Sequence, residues 1–80
     1  MRKRLKARRL ECGLTQEQVA RLTNIGRAHY AMIETGMRGT VVEKWMRIAE
    51  VLEIPASEII EYALEGKQTI AEDEQLKKEK

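Results

Sequence analysis

The stretch "LTQEQVARLTNIGRAHYAMIETG", residues 14–36, decides how this chain folds. It opens on "TQEQ", a capping box in which the Thr15 hydroxyl accepts from the Gln18 amide while the Gln18 side chain reaches back to the Thr15 amide. A helix is therefore expected from Thr15 to about Thr23, where "NIG" reads as a tight turn. "RAHYAMIET" predicts a second helix from Arg27 to about Thr35, stopped by Gly36. Ala20 is small where the second helix must come close, and Val19, Ile25, Tyr30 and Ile33 lie at spacings that seal the pair against a shared core. From Gln18 to Ala31 there is no carboxylate.

Working outward, periodicity and caps give three more helices. One spans about residues 3–12 and ends at Gly13, which can take the left-handed conformation of a helix terminus. Another is capped by Thr40 through the box "TVVE", with Val41, Trp45, Ile48, Ala49 and Leu52 on one side and Glu43, Lys44, Arg47 and Glu50 on the other. The last starts at Pro55 and carries Ile59, Ile60, Ala63 and Leu64 with Tyr62 beside them. That apolar arc is wider than the roughly 100° a one-sided helix needs. Beyond Gly66 the tail "KQTIAEDEQLKKEK" has only Ile70, Ala71 and Leu76 to bury, and is expected to be disordered or a frayed helix. A short helix from Thr69 docking on a second subunit is the alternative. The fold expected is all-α with five helices, over a domain of residues 1–65 and a charged tail of 66–80.

Eighty residues make one small domain with a lean core. The single Cys12 excludes an internal disulfide and there is no run of roughly 18 apolar residues, so a reducing cytoplasmic setting is expected. Charge is split by position. Residues 1–38 hold nine Lys or Arg against three Glu, and residues 39–80 hold six against ten Asp or Glu, which suggests a polyanion on one side only. A membrane fits poorly, since "MRKRLKARRL" offers only Met1, Leu5, Ala7 and Leu10 as apolar anchors. An enzyme finds no support: there is no carboxylate dyad, no nucleophile with a base and no metal set. His29 stands alone, so a metal site is not expected, and Cys12 reads as a small half-buried apolar residue. Tyr30 and Trp45 sit on apolar faces and read as core.

Two short helices joined by three or four residues, with Ala20 early and isoleucines around the turn, describe a helix-turn-helix. "RRLECGLTQEQVARLTNIGRAHYAMIETGMR" resembles the Cro/repressor-type, lambda-repressor-like (XRE-type) helix-turn-helix family, whose pattern is R-x-x-x-G-L-[ST]-Q-x-x-[LV]-A, a turn, then I-x-x-[IL]-E-x-G-x-R. The match rests on Arg9, Gly13, Leu14, Thr15, Gln16, Ala20, Ile33, Glu34, Gly36 and Arg38, and runs from Leu5 to about Ile60. The resemblance implies a double-stranded DNA partner, with the third helix in the major groove. Arg27, Ala28 and Met32 then take the base-reading positions, with His29 and Ala31 on the flanks. Met32 is equally readable as packing. Thr15 and Gln16 become phosphate contacts, joined by Thr35 and Arg38, and by Arg2, Lys3 and Arg4 flanking the site. Glu34 is expected to pair with Arg9 beneath the interface.

The chain departs from the family pattern at Gly26, where Ser or Thr usually caps, at Thr23 for Leu, Asn24 for Gly and Thr40 for Pro. The function implied is a transcriptional regulator, a repressor, and the wide apolar arc of the last helix suggests a homodimer through Ile59, Ile60, Tyr62, Ala63 and Leu64, which would bind an inverted repeat. No cofactor, small-molecule ligand or membrane is expected. The alternative is an antitoxin or adaptor whose main contact is a protein, which would lack the steep salt dependence of DNA binding.

Overall fold

Capping chemistry sets where one helix of this chain begins and where four of them end. The computed structural model describes residues 1–65 and contains, over them, α1 (Lys3–Glu11), α2 (Gln16–Thr23), α3 (Arg27–Thr35), α4 (Val42–Val51) and α5 (Ile59–Glu65), with no strand. The capping box at Thr15 is formed as expected: Thr15 Oγ1 accepts from the Gln18 amide at 3.1 Å, and Gln18 Oε1 accepts from the Thr15 amide at 2.8 Å.

Helices α1 to α4 all stop in the same way, on a residue with positive φ: Gly13 (72°), Asn24 (58°), Gly36 (85°) and Glu53 (55°). In each case the next amide folds back five residues, Leu14 to Arg9, Ile25 to Ala20, Met37 to Met32 and Ile54 to Ala49, at 2.8 to 3.2 Å. These bonds satisfy carbonyl groups that the end of a helix leaves without partners. They also swing Leu14, Ile25 and Ile54 inward, and the last two are buried.

Arginines satisfy further carbonyls from other parts of the chain. Arg8 Nε donates to Leu52 O at the end of α4 (2.8 Å), Arg47 Nη1 to Thr23 O at the end of α2 (3.4 Å), and Arg2 Nη1 to Ile33 O near the end of α3 (2.5 Å). Cations at helix C-termini are favoured by the helix dipole. The core beneath holds Leu5, Val19, Ala20, Ile25, Tyr30, Ile33, Trp45 and Ile48, so the four residues expected to seal the central pair all do so. Thr23, in place of Leu, is fully buried because its hydroxyl donates to Val19 O at 2.7 Å within its own helix.

Two helix starts differ from expectation. Helix α4 is capped at Val41, without a side-chain bond, and Thr40 lies one residue outside. The chain is still extended at Val41 (ψ 159°), which turns Val41 outward, 60% exposed, rather than into the core. Helix α5 begins at Ile59, not Pro55. Residues 55–58 make a tight turn, with the Glu58 amide bonded to Pro55 O at 2.8 Å and the Ile59 amide to Ala56 O at 3.4 Å. The expected state of residues 66–80 lies outside the described residues. Among those described, no helix is long and apolar enough to cross a membrane.

Candidate nucleic-acid interface

Helix α3 is pinned by Tyr30, Ile33 and Glu34, all buried, which fixes the face it turns outward. Positions four and seven residues apart share a face, so Ala28, Met32 and Thr35 line up opposite the core, with Arg27 at the first turn. Arg27, Ala28 and Thr35 are exposed, Met32 is 37% exposed, and Ala31 is half-buried beside them. The N-cap is Gly26, with no side-chain bond, and Asn24 occupies the left-handed region in the turn. His29 is half-buried, and its Nε2 lies 3.3 Å from Gly39 O, so the ring is engaged with the loop between α3 and α4.

The N-terminus of α2 stands next to this face, because α2 and α3 pack against each other. Thr15 is exposed there. Gln16 is half-buried and its Nε2 donates to Glu34 Oε1 at 3.1 Å, so its amide is oriented by the core before any partner arrives. The Thr35 hydroxyl donates to Met32 O at 3.0 Å. Arg38 is exposed at the exit of α3. Glu17, the carboxylate nearest the run, is paired with Arg21 at 3.8 Å on an exposed edge of α2.

The basic N-terminus requires correction. Arg2 is fully buried and cannot reach a phosphate: its Nε donates to Ala63 O at 3.0 Å, its Nη1 to Ile33 O and Arg38 O, and its guanidinium lies 5.1 Å from the centre of the Trp45 ring. Arg4 is turned to α5, stacked 4.5 Å over Tyr62 and 3.6 Å from Glu61. Arg8 and Arg9 are spent on carbonyls and on Glu34. Of the three residues expected at flanking phosphates, Lys3 is exposed with no bond to its side chain among the described residues.

Beneath this face, Arg9 Nε and Nη2 meet Glu34 Oε2 and Oε1 at 2.5 and 3.2 Å, a two-pronged pair whose members are 8% and 1% exposed. Burial pushes the Glu34 carboxyl up, but hydrogen bonds from Arg9 and Gln16, the Tyr30 hydroxyl and the Arg9 charge outweigh it and hold the pKa below the ordinary carboxylate value. The Tyr30 hydroxyl is buried beside this carboxylate without a well-formed hydrogen bond, and burial first, then the Glu34 charge, raise its pKa.

The expected dimer surface is also redrawn. Ile59 is 3% exposed and belongs to the core, and Tyr62 and Ala63 are half-buried against it, whereas Ile60 and Leu64 are 64% and 50% exposed. Helical spacing is the cause, since Ile59 and Ala63, four residues apart, share the inward face and Ile60 and Leu64 share the outward one. Sequence reasoning missed Val42 and Met46 of α4, both exposed, which with Ile60 and Ala63 line an apolar groove of about 220 Å³ between α4 and α5. Their four-residue spacing was the available signal, hidden by the misplaced start of α4.

This geometry agrees with the comparisons to known proteins. The helix-turn-helix family model matches residues 5–59. The chain is 54% identical over 52 residues, 65% of its own length and 68% of the relative's, to the uncharacterized HTH-type transcriptional regulator YqaF of Bacillus subtilis strain 168. No solved structure matches. A match over more than half the chain, on a five-helix fold that buries the Arg9–Glu34 pair under an exposed α3, shows that the chain belongs to the Cro/repressor-type, lambda-repressor-like helix-turn-helix family of DNA-binding domains.

Proposed function

We propose that this chain is a sequence-specific regulator of transcription that binds double-stranded DNA as a homodimer in the cytoplasm and represses by occluding a promoter. Residues 1–65 act as the DNA-binding unit. The observation that carries the reading is the division of α3: Tyr30, Ile33 and Glu34 anchor one side while Arg27, Ala28 and Met32 stand exposed on the rest. Arg27 reads a guanine through O6 and N7, worth about 1–3 kcal/mol of discrimination, and Ala28 and Met32 meet thymine methyl groups. Thr15, Gln16, Thr35, Arg38 and Lys3 contact phosphates and fix the docking angle. His29 and Ala31 lie at the margin of this surface.

Two copies join through Ile60 and Leu64 of α5 with Val42 and Met46 of α4, whose exposed apolar surface borders the groove lined by Trp45, Ile59 and Ala63. A two-fold dimer of this kind requires two half-sites about one helical turn apart. Selection of bound duplexes from a random DNA pool tests the reading. An enriched inverted repeat is the expected result, and no enrichment over a basic control protein would overturn it.

A further inference from the structure

Arg2 is the one arginine of the basic N-terminus that is wholly enclosed, and it bonds carbonyl groups from three places. Its backbone amide donates to Glu34 O at 2.8 Å, and its Nη1 donates to Ile33 O and to Arg38 O (2.7 Å), which straddle the exit of α3. Nε reaches Ala63 O on α5, and the flat guanidinium lies over Trp45 of α4. Helix α3 has no basic residue in its own last turn. Arg2 therefore supplies, from outside, both the hydrogen-bond donors and the positive charge that the end of this helix lacks. A planar fork can do this at several carbonyls at once, whereas a lysine ammonium is a point donor. Arg2 Nη2 is buried without a hydrogen bond among the described residues, so the cation is held there at a desolvation cost.

We propose that Arg2 is a positioning residue for DNA recognition: by clamping the Ile33, Glu34 and Arg38 carbonyls to α4 and α5, it sets the exit of α3 and the placement of Arg38 on the phosphate backbone. It acts through Arg38 and touches no DNA itself. The inference rests on the reading of Arg38 as a phosphate contact.

The test is a double-mutant cycle on the full chain, with affinity measured by fluorescence anisotropy on a duplex selected from the random pool. Arg2→Lys, Arg38→Ala and the double variant are compared under conditions where circular dichroism shows each folded. Ile48→Val serves as a control that loosens the core without altering any partner of Arg2. Arg38→Ala is expected to weaken the parent about tenfold but the Arg2→Lys background by less than about twofold, with Ile48→Val leaving affinity nearly unchanged. Equal losses in both backgrounds would overturn the proposal. If Arg2→Lys does not fold, Arg2→Gln, which buries no charge, replaces it in the same cycle. If Arg38→Ala costs the parent nothing, the Arg38 reading fails, and hydrogen exchange decides the role of Arg2. The amides of Gly36, Met37 and Arg38, bonded to Ile33 O and Met32 O, should then exchange faster in Arg2→Lys than in Ile48→Val at matched stability. Equal exchange would overturn the proposal outright.

Discussion

At the scale of single residues, Glu34 joins the core to the surface proposed to meet DNA. It is 1% exposed, paired with Arg9, and it orients Gln16 at the start of α2. Removing one member of a buried pair costs about 3–5 kcal/mol, which is most of the stability of a small domain. Glu34→Ala is therefore expected to melt far below the parent in a thermal scan, and an unchanged midpoint would contradict the role given to the pair. The pH dependence follows from the lowered pKa. Because the folded carboxyl holds its charge more tightly than the unfolded one, its contribution is complete above the ordinary value of 4.5 and is lost as pH falls through the folded value. Thermal midpoints taken from neutral pH downward should fall below about pH 4.5 in the parent and fall less steeply in Glu34→Gln. This pair was legible in the sequence only through the family pattern, since spacing along the chain cannot bring residues 9 and 34 together. The burial of Arg2 was not legible at all. An arginine in "MRKRLKARRL" looks like any other, and what separates it from Lys3 and Arg4 is the packing of α3, α4 and α5 around it.

At the scale of helices, the ends carry the information. The stops at Gly13, Asn24 and Gly36 follow from residue types that tolerate positive φ, and all three were readable. Glu53 was not, because glutamate has no such preference and is held there by its helix-end bonds to Glu50 O and by Ile54 to Ala49 O. A left-handed non-glycine residue costs about 1–2 kcal/mol, offset in part by the greater freedom of glycine when unfolded. Glu53→Gly should therefore stabilise the domain by roughly 0.5–1 kcal/mol, read as a melting point raised by a few degrees. A lower melting point would show that the Glu53 side chain is needed. The misreadings at Thr40 and Pro55 have one physical origin: both are residues that often open helices, but here the chain stays extended for one residue after Thr40 and tightly turned through residues 55–58. Sequence fixes which residues can start a helix more firmly than which one does. The later start of α4 hid Val42 and Met46.

At the scale of the whole molecule, charge and apolar surface divide between two regions. The α3 side carries Arg27 and Arg38 with the helix start at Thr15, and the α4–α5 side carries Val42, Met46, Ile60 and Leu64. If the second is where two copies meet, Ile60→Glu should shift sedimentation to the monomer and weaken binding to an inverted repeat far more than binding to one half-site. Because Ile60 is 64% exposed, the fold itself should lose little, and a dimer that persists in Ile60→Glu would contradict the assignment. The central claim is that the outward turn of α3 reads base edges, and Arg27 carries most of it. The most direct test is to run the random-pool selection on the parent and on Arg27→Ala side by side. The account predicts the same inverted repeat with information lost at one symmetry-related base pair in each half-site, a discrimination of about 1–3 kcal/mol. An unchanged motif, or a uniform loss across every position, would contradict it.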